Sequence, residues 1–118
     1  MLSTTFKQQL KTFLELPYPK NAWIENKQDM RVYLRKSCRI INNKHLTSIE
    51  IANIAVLKPG KGKFRNLINF LKQEKTFNII YVENVFNPLL DEILFRYGFT
   101  VTSSKTHDYY FLLNKEEN

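Results

Sequence analysis

The sequence predicts a mixed α/β sheet, mostly antiparallel, with a single parallel crossover. Three observations predict it. From Thr47 to Val56 the chain reads T-S-I-E-I-A-N-I-A-V, β-branched and apolar, as a buried strand does. The turn Pro59-Gly60-Lys61-Gly62 breaks that strand, and Phe64, Leu67, Ile68 and Leu71 follow at helical spacing. A second short apolar strand, Asn78 to Val82, comes after the helix, and a strand–helix–strand succession brings the chain back in parallel.

The other elements follow in order. Thr5-Phe6-Lys7-Gln8 fits a capping box, and Phe6, Leu10, Phe13 and Leu14 continue it as a helix that Pro17 and Pro19 stop. Ala22-Trp23-Ile24 is a short strand before the polar turn Asn26-Lys27-Gln28-Asp29. From Met30 the pattern alternates, with Val32, Leu34, Cys38 and Ile40 on one face and Arg31, Tyr33, Arg35, Ser37 and Arg39 on the other. Asn42-Asn43-Lys44 is a hairpin turn into the central strand. Asn87 caps a helix with Pro88 at its first position, a stripe of Leu90, Ile93, Leu94 and Tyr97, and Gly98 just past its end. Two strands, Phe99 to Thr102 and Tyr109 to Leu113, close the chain around a polar loop.

At 118 residues, 43% of them hydrophobic, residues 1–118 make one domain with its own core. The net charge of +7 favours anionic partners, a nucleotide cofactor or nucleic acid. A single cysteine, Cys38, excludes a disulfide framework, is expected to be a buried structural thiol, and suits a cytoplasmic protein. No secretory leader and no membrane-spanning run is read, and His45 and His107 lack the neighbours a metal needs.

The Gly turn carries the first chemical signal. Lys58, Lys61, Lys63 and Arg65 crowd the start of the helix, where the macrodipole favours acids by about 0.3–1 kcal/mol each. Either these cations are simply solvated, or a polyphosphate at the turn reverses the local sign.

The run N-I-A-V-L-K-P-G-K-G-K-F resembles motif A of the GNAT acyltransferase superfamily, whose turn holds the pyrophosphate of acetyl-CoA; Gly62 fills its first glycine position. Pro59 stands where that family has Arg or Gln, and Phe64 where it has Gly or Ala. The run from Phe77 to Phe99 is similar to motif B, with Asn87 eleven residues before Gly98. The resemblance covers Arg31 to the C-terminus and implies a GNAT-like acyl-CoA N-acyltransferase fold, in which the first strand is missing here and the front helical region shortened. It implies acetyl-CoA, or another acyl-CoA, as co-substrate. Its contacts fall on Asn53, Ile54, Ala55 and Val56 in the strand, on Lys58, Gly60, Lys61, Gly62, Lys63 and Phe64 in the turn, and on Asn87.

Acyl transfer to an amine needs a proton acceptor, a donor to the thioester carbonyl and a proton for the leaving thiolate. Glu50, six residues before Val56, matches a position where some family members carry a general-base Glu, and Ile49 and Ile51 would desolvate it. Its other reading is a Glu on a solvated strand face. Glu83 and Asn84 end the second parallel strand, where they either face the expected cleft or simply form a polar loop. Leu94 occupies the family's general-acid Tyr position; Tyr97 is near, within the apolar stripe.

The resulting reading is an N-acetyltransferase that transfers directly in a ternary complex, its amine acceptor a small molecule, a protein or a nucleobase. The rivals are a nucleic-acid binder or nucleobase modifier, using Arg31, Arg35 and Arg39 around Tyr33, and a degenerate fold kept as an interaction module.

Overall fold

The structure, a computed structural model, describes residues 2–56, 62–74, 76–85, 88–103 and 107–113. Its elements run α1 (Thr4–Glu15), β1 (Asn21–Glu25), β2 (Met30–Ile41), β3 (Lys44–Val56), α2 (Lys63–Lys72), β4 (Ile79–Val82), α3 (Pro88–Arg96), β5 (Thr100–Ser103) and β6 (Asp108–Leu112). They form one six-stranded sheet in the order β1-β2-β3-β4-β6-β5. β3 and β4 are parallel through α2, and the other pairs are antiparallel, as the sequence predicts.

Strand alternation divides the sheet into two unlike faces. Val32, Leu34, Ile49, Ile51, Ile80 and Val82 share one core with Phe6, Leu10, Phe13 and Leu14 of α1, Phe64, Leu67, Ile68 and Leu71 of α2, and Leu94 of α3. Among the described residues all three helices therefore lie on that face. The opposite face carries Tyr33, Arg35, Arg39, Ser48, Glu50 and Tyr81, in register across β2, β3 and β4.

Local geometry follows residue chemistry at the turns. Asn42 (φ 52°) and Asn43 (φ 67°) both adopt the left-handed conformation that a two-residue hairpin turn requires. Gly98 (φ 87°) ends α3, and Phe99 N–H closes back onto Leu94 O at 3.0 Å.

Two expectations are corrected. The cap of α1 is Ser3, not Thr5: Ser3 Oγ accepts from Phe6 N–H at 3.2 Å, and the helix has already begun at Thr4. Cys38 is exposed rather than buried. β4 joins β3 only from Ser48, and β1 joins β2 only as far as Arg35, so the hairpin that holds Cys38 projects beyond both neighbours.

Candidate active site

The parallel seam opens into a fork. β3 and β4 pair from Ser48/Ile79 to Ile51/Val82, and Glu83 N–H adds one more bond to Ile51 O at 3.0 Å. There β4 ends, while β3 continues to Val56, paired among the described residues with β2 alone. The register on β2 slips at the same place: Leu34 faces Ile51 and Tyr33 faces Asn53, leaving Ala52 as an extra residue. A bulge is the local irregularity that twists and bends strands, and this one sits just past the last β3–β4 pair. The backbone of Asn53 to Val56 is thus left without a β4 partner on one edge.

α2 begins close in sequence to the end of β3. Its N-cap is Gly62, left-handed at φ 70°, with no side-chain cap and no acid in the first turn. The amides there have no side-chain acceptor from the cap, and a Cβ on Gly62 would meet Arg65 Nη2 at 3.4 Å. Lys63, the first helical residue, turns inward and donates to the buried Asp29 Oδ1 at 2.8 Å. Burial alone would raise the Asp29 carboxyl, but hydrogen bonds from Lys63 and Ser3 hold it below its ordinary value.

Beside the fork, on the face opposite α1, α2 and α3, four charged side chains interlock. Arg39 donates through Nε to Glu50 Oε2 at 2.7 Å, and through Nη2 to Glu50 Oε1 and Glu83 Oε2, both at 3.0 Å. Arg35 donates to Glu83 Oε1 and lies 3.7 Å from Glu50 Oε1. Ser48 Oγ donates to Glu50 Oε2 at 3.0 Å. The Glu50 hydrogen bond leads the causes that raise the Arg39 guanidinium above its ordinary value. Arg39 also stacks 3.8 Å from the Tyr81 ring centre, and Tyr81 OH donates to Asp108 Oδ2 at 2.7 Å. Burial, reinforced by Asp108, pushes the Tyr81 hydroxyl up to about 12. Asp108 in turn accepts from Asn84 N–H at 2.9 Å, tying the end of β4 to β6.

Solved structures share the fold of this chain. The chain superposes on a chain in the crystal structure of a KacTA–DNA complex with TM-score 0.56 and 16% identity, over 72% of this chain and 58% of that one. A point mutant of the AtaT toxin, bound to the C-terminus of the antitoxin AtaR and acetyl-CoA, gives TM-score 0.56 and 16% identity, over 72% and 59%. A KacT point mutant gives TM-score 0.55 and 14% identity, over 90% and 82%. The fold is GNAT-like. The chain spans less than two thirds of the length of the first two of these proteins. No protein-family model matches the chain, and no curated protein matches its sequence.

On this GNAT-like frame the expected site residues fall into separate places. Asn53 and Ala55 are exposed on β3 beyond the fork, Ile54 packs against the core, and Val56 ends the strand. Gly62 and Lys63 start α2, and the Phe64 side chain is buried in the core, leaving only its backbone to a ligand. Lys58, Gly60, Lys61 and Asn87 lie outside the described residues. Glu50 and Glu83 come together, joined by Arg39. Tyr97 does not join them: it packs against the helix-side core.

Two premises of the sequence reading change. Ile49 and Ile51 point to the other face, so Glu50 is surrounded by guanidinium and hydroxyl donors and not by its apolar neighbours. Arg31, Arg35 and Arg39 do share one face, but Arg35 and Arg39 are paired with Glu50 and Glu83. Arg31 lies 3.3 Å from Glu25 and 3.6 Å from the Trp23 ring centre. The signal for this network was the spacing of four between the arginines, which keeps them on one strand face beside Glu50. Asp29, read only as a turn residue, had no sequence signal for its role. Among the described residues no group of three or more His, Cys, Asp or Glu gathers as a metal site, and no helix is long and apolar enough to cross a membrane.

Proposed function

We propose that this protein is a cytoplasmic acyl-CoA-dependent N-acyltransferase, using acetyl-CoA and transferring the acyl group directly to an amine. The observation that carries the reading is the fork: the β2–β3 register slips at Ala52, just past the last pair of β3 with β4, while α2 presents a left-handed Gly62 and has no acid in its own first turn. An extended pantetheine arm would pair with the free edge of Asn53 to Val56, and the pyrophosphate would sit against the amides that follow Gly62. The AtaT neighbour, bound to acetyl-CoA, supports this choice of donor.

The chemistry assigned to the fork is nucleophilic acyl substitution. The amine nitrogen attacks the thioester carbonyl carbon, its N–H proton passes to a base, the C–S bond breaks, and the thiolate takes a proton from solvent. A backbone N–H on β3 would stabilise the oxyanion. We assign the base role to Glu83, which ends β4 at the fork and has a side chain 19% exposed, against 2% for Glu50. Glu50 then fixes Arg39 and, through it, the orientation of Glu83. Tyr97 has no part in the transfer.

Incubation with acetyl-CoA and a mixture of amines, following thiol release and acetylated product by mass, tests the reading. Product with stoichiometric thiol supports it; absence of both across small-molecule, peptide and nucleobase amines overturns it.

A second reading rests on a different observation. Arg31 stacks on exposed Trp23, whose ring lies 5.0 Å from that of Tyr33, on the face opposite α1, α2 and α3. Such a platform suits single-stranded nucleic acid. Binding that falls steeply with salt and is lost in Arg31→Gln would support it.

A further inference from the structure

The Asp29–Lys63 pair joins two helix starts that the acyltransferase reading does not otherwise connect. Asp29 is fully buried in the turn between β1 and β2. One carboxylate oxygen accepts from Lys63 Nζ at 2.8 Å, on the first residue of α2. The other accepts from Ser3 Oγ at 2.6 Å, and Ser3 N–H points between the two at 3.2 Å to each. Ser3 is the cap of α1. A single carboxylate thus fastens the N-terminus of α1 and the first turn of α2 to the same point.

Burying a carboxylate is unfavourable unless partners compensate it, so this geometry is held tightly. Lys63 is correspondingly committed: its side chain is 14% exposed and points toward Asp29, away from water. Four cations crowd this turn in the sequence, and of the two that are described, Lys63 is the one that a protein carboxylate holds. Arg65 differs, being exposed with its guanidinium lying against Gly62.

We propose that Asp29 is a positioning residue for the phosphate-binding turn: through Lys63 it sets the placement of the first α2 amides, and Lys63 is a strut and not a ligand. The proposal rests on the acyl-CoA reading of that turn. It implies that the α1 cap and the turn are mechanically coupled, so that loosening Ser3 loosens the amides after Gly62.

Coenzyme A binding by calorimetry at several salt concentrations, with amide hydrogen exchange of Lys63 to Asn66, tests it on the full chain. Asp29→Asn retains an acceptor for Ser3 but removes the charge that orients Lys63. Affinity should fall about fivefold to tenfold through lost preorganisation, with an unchanged salt dependence, and the α2 amides should exchange faster. Lys63→Met should behave likewise, and the double variant should be no worse than either single. Arg65→Ala, by contrast, should flatten the salt dependence. Wild-type affinity and exchange in Asp29→Asn would overturn the proposal, as would tighter binding with a steeper salt dependence, since Lys63 would then be a withheld ligand. If wild-type protein binds no coenzyme A, the acyltransferase reading fails separately. Exchange of the α2 amides then still decides the strut, faster exchange in Asp29→Asn supporting it and unchanged exchange overturning it.

Discussion

Arg39 grips Glu50 with two nitrogens, Nε at 2.7 Å and Nη2 at 3.0 Å, on a sheet face that carries no helix among the described residues. Glu50 is 2% exposed, so truncating its partner leaves a buried carboxylate facing only Ser48 and Arg35. Arg39→Met should cost about 2–4 kcal/mol, below the range for fully buried pairs because Arg39 is 32% exposed. Arg39→Met with Glu50→Gln should recover part of that loss. Urea midpoints of the two single variants and the double variant measure the coupling.

Asp29 gives an acid dependence. Its folded carboxyl lies below the ordinary value of 3.8, so its contribution is complete above that value and is lost as pH falls through the lower, folded one. Charge-assisted bonds of this kind contribute about 1.5–3 kcal/mol. Thermal melts of Asp29→Asn should therefore sit below wild type near neutrality and converge with it at the acid end.

Tyr81 gives an alkaline one. Its hydroxyl rises from 10.0 unfolded to about 12 folded, so the stabilisation is complete below the unfolded value and disappears between the two. In a spectrophotometric titration of the six tyrosines, one should ionise late, and Tyr81→Phe should abolish that phase. Early, uniform ionisation would remove the Asp108 bond from consideration.

Gly62 occupies φ 70°, where a β-branched residue is strained, and any Cβ meets Arg65 at 3.4 Å. Gly62→Val should lose coenzyme A binding outright and cost about 1–2 kcal/mol of stability. Calorimetry beside a denaturant melt separates the two effects.

Much of the fold was legible because its signals are local. Asn42-Asn43 marks a turn that needs two left-handed residues, Gly98 marks a helix end, and Phe64, Leu67, Ile68 and Leu71 mark a helix face. The fork was not legible in this way. Ala52 has no side-chain signature of a bulge; the slip exists only in its pairing with β2. The Arg–Glu quartet was half legible: the arginine spacing was plain, but which carboxylates faced it depended on the β2–β3 register and on β4 crossing alongside. Changing Arg31, Arg35 and Arg39 together would not isolate nucleic-acid binding, because Arg35 and Arg39 are paired with Glu50 and Glu83. Arg31→Gln alone does. Cys38 was misread because alternation gives a face but not where neighbouring strands stop.

The central claim is that the fork holds acyl-CoA by backbone contact, and an amide NMR titration with acetyl-CoA tests it most directly. Saturable shifts should concentrate at Asn53 to Ala55 and at Gly62 to Phe64, with the β5–β6 amides unmoved. Absence of binding, or saturable binding that leaves both groups of amides unshifted, would contradict it.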